Sequence, residues 1–87
     1  MFLTPAQFCI VKFGGVRALA RKLNVDQAAV HRWKNKPEGI IPTKHAPLIL
    51  KLSKDLNLNI TPENLLIGGI INTNHVAAKF PWLVKHD

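Results

Sequence analysis

Cysteine is almost missing from this sequence, and tyrosine is absent altogether. Because Cys9 is the single cysteine, an internal disulfide is excluded, and a reducing cytoplasm is the expected setting. Cys9 lies in an apolar helical stripe, which indicates a buried core residue with an unreactive thiol. The fold must therefore depend on its hydrophobic core rather than on cross-links.

Long apolar runs are also missing. No stretch approaches the ~20 residues that a transmembrane helix needs, and the opening Met-Phe-Leu-Thr-Pro lacks the regions of a signal peptide. We therefore expect a cytoplasmic protein. The chain has 87 residues, of which 47% are hydrophobic and 20% charged, and this composition predicts one compact globular domain.

Acidic residues are scarce: five stand against twelve basic residues, for a net charge of +7. Nine of the basic residues, but only two of the acidic ones, lie between residues 12 and 51. This concentration predicts a surface that attracts a polyanion, and the lack of membrane signals favours nucleic acid.

Signals of catalysis are lacking as well. The histidines have no metal-like spacing, and neither glycine pair (14–15 or 68–69) belongs to a phosphate-binding loop pattern. No serine or cysteine has a catalytic partner nearby in the sequence. We expect a binding protein rather than an enzyme, with no metal and no cofactor.

The first half of the chain carries three helix patterns. Thr4, Pro5 and Gln7 form an N-cap, an N1 proline and a capping box for helix 1, which ends at Gly14. Helix 2 covers about residues 15–23. Asn24 suits the left-handed turn after helix 2, which leads into helix 3.

Helix 3 begins at Asp26, whose carboxylate is expected to accept hydrogen bonds from free backbone amides. Its apolar face carries Val30 and Trp33, which we assign to the core. Its outward positions are the candidate base-reading residues Gln27, Ala28, His31 and Arg32.

The second half predicts two more helices and an apolar tail. Helix 4 runs from about residue 42 or 43 to 57, and a short helix follows Thr61. Five side chains of helix 4 are expected to face the core: Ala46, Ile49, Leu50, Leu52 and Leu56. Beyond residue 67, Ile70-Ile71 is typical of a short strand, and residues 80–84 are apolar and expected to be extended.

The combined pattern resembles the Cro-like helix-turn-helix repressors of temperate phages, in their all-helical branch. The likeness is carried by residues 13–23, by Ala29-Val30-His31-Arg32-Trp33-Lys34 and by Ile41-Pro42, and it covers about residues 5–66. It implies an all-α, lambda-repressor-like bundle of four to five helices, with a short C-terminal strand or arm. The implied role is a repressor that binds a palindromic operator as a homodimer, in a bacterial or phage-infected bacterial cell.

The major groove admits a recognition helix, and the side chains of helix 3 fit that use. Gln27 can pair with adenine, Arg32 with guanine, and Ala28 can contact a thymine methyl group. Two sets of residues are expected to bind phosphates: Gly15, Val16 and Arg17 at the start of helix 2, and Lys34, Asn35 and Lys36 at the end of helix 3.

The tail leaves two alternatives open. We divide the chain into a DNA-binding domain, residues 1–67, and a tail, residues 68–87, that serves as a dimerisation arm through Ile70, Ile71, Phe80 and Trp82. Alternatively, the tail packs back on its own domain.

A second functional class also fits, an antitoxin-type helix-turn-helix protein that binds a toxin as well as its own promoter. RNA is a weaker candidate, since the helices lack exposed aromatic residues.

Overall fold

The computed structural model describes residues 1–71 and 79–83. Its elements are β1 (Phe2–Leu3), α1 (Pro5–Phe13), α2 (Val16–Leu23), α3 (Gln27–Asn35), α4 (Ala46–Leu56), α5 (Pro62–Ile67) and β2 (Gly69–Ile70). Two short 3₁₀ turns, Thr43–His45 and Pro81–Leu83, complete the described part. The chain is therefore a small, mostly helical bundle, as predicted.

Helix α1 begins and ends as the sequence predicts. The Thr4 side chain accepts a hydrogen bond from the Gln7 amide at 3.3 Å, and the Gln7 side chain accepts one from the Thr4 amide at 3.2 Å. This reciprocal pair is a capping box. At the other end Gly14 has φ 99°, a left-handed conformation that residues other than glycine rarely adopt.

One core joins all five helices. Its buried side chains include Leu3, Ala6, Phe8, Cys9, Ile10, Leu19, Ala20, Leu23, Val30, Trp33, Ile41, Ile49 and Ile60. Burial raises the pKa of the Cys9 thiol to about 12, because the thiolate would lose its hydration. Cys9 is thus an unreactive core residue, as expected.

A two-stranded antiparallel sheet joins the N-terminus to the end of α5. Phe2 lies opposite Ile70, and Leu3 lies opposite Gly69. The sequence predicted a strand at Ile70-Ile71 but no partner for it. The partner β1 has only two residues, too few to show an alternating strand pattern. Gly68 precedes β2 with φ 88°, and a Cβ at this position would collide with the carbonyl oxygen of Leu3.

Helix α4 differs from its prediction in its start and in one of its core residues. It begins at Ala46, after the 3₁₀ turn, and Leu56, which was expected in the core, is 45% exposed. Ser53 is buried instead; its hydroxyl oxygen accepts the Ile60 amide at 2.7 Å and donates to the Ile60 carbonyl at 3.3 Å. The helix ends at Asn57 with φ 57°, so the chain turns back and Ile60 packs into the core in place of Leu56.

Residues 79–83, the second described part of the tail, are not extended. Pro81–Leu83 forms a 3₁₀ turn, and Phe80 and Leu83 are buried in the core of the same chain. The expectation of an extended apolar segment outside the core was therefore wrong for these residues. Val84 lies outside the described residues.

Candidate nucleic-acid interface

Helices α2 and α3 are joined by the three residues 24–26. Asn24 has φ 56°, the left-handed conformation predicted for it, and the Val25 amide donates to the Ala20 carbonyl at 3.0 Å. Ala20 is 3% exposed where the two helices meet, and Val30 and Trp33 hold the inner face of α3 in the core. This arrangement is a helix-turn-helix with its second helix exposed along one side.

The outer face of α3 carries the residues that the sequence singled out. Gln27, Ala28, His31 and Arg32 are all exposed. Their spacing along the helix places them on adjacent turns of one face. The set combines an amide, a methyl group, an imidazole and a guanidinium, so it can distinguish base edges by several kinds of contact.

Asp26 occupies the N-cap of α3, but the predicted capping hydrogen bond is absent. The Ala29 amide donates at 3.0 Å to the backbone carbonyl of Asp26, so a principal target of the carboxylate is already occupied. The carboxylate is exposed beside Gln27. Its negative charge still interacts favourably with the N-terminal end of the helix.

At the start of α2, one of the expected phosphate contacts is not free. The Gly15 amide donates to the Ile10 carbonyl at 2.8 Å, which ends helix α1. Val16 is half-buried and Arg17 is exposed. The amides of the first turn of α2 have no carbonyl of their own helix within reach, so these amides and the Arg17 side chain are the groups suited to a phosphate.

At the end of α3, the three expected phosphate residues differ in their surroundings. Asn35 is the last helical residue, and Asn35 and Lys36 are exposed. Lys34 is half-buried, with its Nζ 4.9 Å from the centre of the Trp82 ring. No sequence pattern indicated this contact, because it joins two distant parts of the chain.

The charges of α2 and α3 are all positive. The two helices carry Arg17, Arg21, Lys22, Arg32 and Lys34 and no acidic residue. Within residues 1–71 and 79–83, the one salt bridge is Lys51–Asp55 on α4, at 2.8 Å. The positive field of α2 and α3 is therefore not neutralised by ion pairs among these residues.

A second surface has the opposite character. Large apolar side chains at the N-terminus and on β1, α5 and β2 are 52–77% exposed, and we call this set the neutral face after its uncharged side chains: Met1, Phe2, Leu66, Ile67 and Ile70. Between Asp55 and Lys79 the sequence has one formally charged residue, Glu63. Phe2 and Ile70 are direct partners across the sheet, so the patch is continuous there.

The four residues proposed for dimerisation do not lie on one surface. Ile70 is 77% exposed, whereas Phe80 is 5% exposed and belongs to the core of its own chain. Ile71 and Trp82 are half-buried. Of the four, Ile70 is thus the side chain most accessible to a second molecule, and the role of the set stays a prediction.

The described residues contain no group of three or more His, Cys, Asp or Glu side chains that could hold a metal ion. Among the same residues, no helix has the length and apolar character that crossing a bilayer requires.

The fold and the exposed α3 define a helix-turn-helix protein. More particularly, the family model described as "Bacterial toxin YdaS" matches residues 6–66, most of the chain, and the protein belongs to that family. No curated protein and no solved structure matches the chain. The helix-turn-helix part of the predicted resemblance is thus confirmed, while the Cro-like assignment stays a prediction.

Proposed function

We propose that this protein is a sequence-specific, double-stranded DNA-binding transcriptional regulator that reads the major groove with α3. The observation that carries the proposal is the mixed, exposed face of Gln27, Ala28, His31 and Arg32, set among cations without neighbouring ion pairs. A nine-residue helix with this exposure fits the major groove. The protein acts by binding, without a catalytic step, metal or cofactor.

The phosphate contacts of this proposal lie on both sides of the reading face. Arg17 and the first amides of α2 bind one phosphate, and Lys34, Asn35 and Lys36 bind another beyond the end of α3. These contacts fix the orientation of the helix and supply affinity for any sequence. Discrimination then depends on the four reading side chains.

We further propose a Cro-like mode of action, in which a homodimer occupies a palindromic operator and blocks transcription in the bacterial cytoplasm. One recognition helix contacts too few base pairs to locate a site in a genome. Two copies related by a two-fold axis read half-sites about 34 Å apart. Ile70 on the neutral face is the accessible apolar residue that supports such a contact.

The family description favours a second candidate, a toxin–antitoxin role. In that case the neutral face binds a partner protein, while α3 still binds the promoter. Co-expression with the neighbouring gene product, followed by co-purification, distinguishes the two. A stable hetero-complex that buries Ile70 would favour this candidate, and a homodimer alone would favour the Cro-like one.

The proposal is tested by selecting DNA sites from a random duplex library with the purified protein. We expect one enriched palindromic motif. Arg32→Glu places a negative charge on the reading face and is expected to abolish enrichment, whereas Lys54→Glu makes the same charge change on α4 and is expected to preserve it. No enriched motif with the wild-type protein, or equal loss in both variants, would contradict the proposal.

A further inference from the structure

The C-terminal turn contacts the end of the recognition helix. Lys34 Nζ lies 4.9 Å from the centre of the Trp82 ring, within the distance of a cation–π interaction. A groove of about 610 Å³ lies between the end of α3, β1 and this turn, and Lys34, Lys36 and Trp82 all line it. The tail and a candidate phosphate-binding lysine thus share one surface.

Trp82 is held in place independently of Lys34. Its neighbours on both sides are anchored, since Phe80 is 5% and Leu83 is 4% exposed. The Phe80 and Trp82 rings also pack edge to face, with their centres 5.9 Å apart. The indole is therefore a fixed platform rather than a side chain that follows the lysine.

The Trp82 ring restricts the conformations of the Lys34 side chain, which favours phosphate binding. A lysine side chain has many rotamers, and it loses their entropy when it binds a phosphate. Contact with Trp82 restricts Lys34 before DNA arrives, so less entropy remains to be lost. The ammonium has three N–H donors, and its contact with one ring face leaves donors for a phosphate oxygen.

We propose that Trp82 is a positioning residue for DNA binding: it holds Lys34 at the end of α3 for a backbone phosphate, and the turn Pro81–Leu83 is part of the DNA-binding surface. This inference rests on the proposed function. Because Trp82 acts on a phosphate contact, it contributes affinity for all sequences and does not change which sequence is preferred.

A double-mutant cycle tests the proposal, with dissociation constants measured for cognate and random duplexes at several salt concentrations. Trp82→Leu is expected to raise the dissociation constants for both duplexes about threefold. In the Lys34→Met background, which lowers the salt slope by about one, Trp82→Leu should have no further effect. Trp82→Phe keeps an aromatic face and should restore most of the affinity, and Lys54→Met serves as the matched loss of one charge from α4.

A second measurement does not require DNA. The Lys34 side-chain proton resonances are expected to be shifted upfield by the Trp82 ring current in the free protein, and to return to ordinary positions in Trp82→Leu. Thermal unfolding of each variant identifies general loss of folding. An unshifted Lys34 resonance, independent effects of the two substitutions, or tighter DNA binding by Trp82→Leu would each overturn the proposal. Absence of any DNA binding by the wild-type protein would instead overturn the proposed function.

Discussion

The surface of α2 and α3 and the neutral face differ most in charge. The two helices of the first carry five cations and no acid, and Asp26 lies in the turn between them, whereas the second consists of exposed apolar side chains. Both are exposed parts of the same small fold. The difference supports the proposal that the two surfaces bind different partners, a polyanion at the first and an uncharged protein surface at the second.

Coulomb repulsion also affects which surface two copies of the chain can use for self-association. Two copies with a net charge of +7 each repel one another, and the repulsion is strongest where their basic surfaces meet. The proposed contact at Ile70 involves apolar side chains, so it would bring fewer like charges together than a contact between the basic surfaces of α2 and α3. Three predictions test this comparison, and a fourth concerns the pH dependence of stability.

The largest expected effect is on the salt dependence of DNA binding. With about five to seven phosphates neutralised by a protomer pair, log K should fall with log[salt] at a slope of roughly −4 to −6. Between about 50 mM and 200 mM salt this corresponds to a loss of order a thousandfold in affinity. Titrations by fluorescence anisotropy measure the slope, and a value near zero would mean that the basic surface is not the interface.

The next effect is on discrimination. We expect Arg32→Ala and Gln27→Ala each to reduce the free energy of binding to the cognate site by about 1–3 kcal/mol, with little effect on binding to random DNA. Arg17→Ala should weaken binding to cognate and random DNA about equally, because Arg17 contacts the DNA backbone. The ratio of cognate to random dissociation constants measures this, and an unchanged ratio in both α3 variants would show that α3 is not the reading helix.

A smaller effect is expected at the neutral face. Ile70→Lys adds a charge at a 77% exposed position, so it should leave the fold intact while it weakens self-association. Sedimentation equilibrium of the free protein measures the change. Ile40→Lys, at a 54% exposed position in the loop before the 3₁₀ turn Thr43–His45, is the matched control. Equal dimerisation of wild type and Ile70→Lys would place the contact elsewhere, with α4 and α5 as the next candidates.

The smallest effect concerns pH. His45 packs against Trp33, with ring centres 5.3 Å apart. Its pKa is lowered from the ordinary value of 6.5 by partial burial and then by the charge of Lys44. Below about pH 6.5 the unfolded chain therefore binds more protons at this residue than the folded chain does, and stability falls as the solution is acidified.

Thermal unfolding at about pH 7.5 and about pH 5.5 measures this effect. The decrease in midpoint should be small, and it should be smaller still in His45→Gln. Lys44→Met removes one of the two causes and should give an intermediate decrease. An identical decrease in wild type and His45→Gln would rule out His45 as its source.

Much of the local structure could be predicted because its causes are local. Thr4 with Gln7 defines the start of α1, and Asn24 defines the turn before α3, through hydrogen bonds and φ values that involve neighbouring residues. The reading face of α3 followed from helical periodicity, since Val30 and Trp33 fix the buried side and the remaining positions must be exposed.

Other features depend on where the chain returns. Leu56 satisfied the apolar pattern of α4 but is exposed, because the turn at Asn57 brings Ile60 back onto Ser53. The Gly15 amide is unavailable for a phosphate because it completes the end of α1. Periodicity within one helix contains no information about such contacts.

The sequence by itself determined the helix-turn-helix, the chemistry of its exposed face and the excess of positive charge, since each follows from composition, capping and helical spacing. Only the tertiary structure decided what residues 79–83 of the tail contact. Apolar character predicted that Phe80 and Trp82 would contact something, but burial against the same chain or against a second copy depends on which surface is closer. Folding brought Phe80 into the core and Trp82 beside Lys34, and because these contacts join residues far apart in the sequence, no local pattern could predict them.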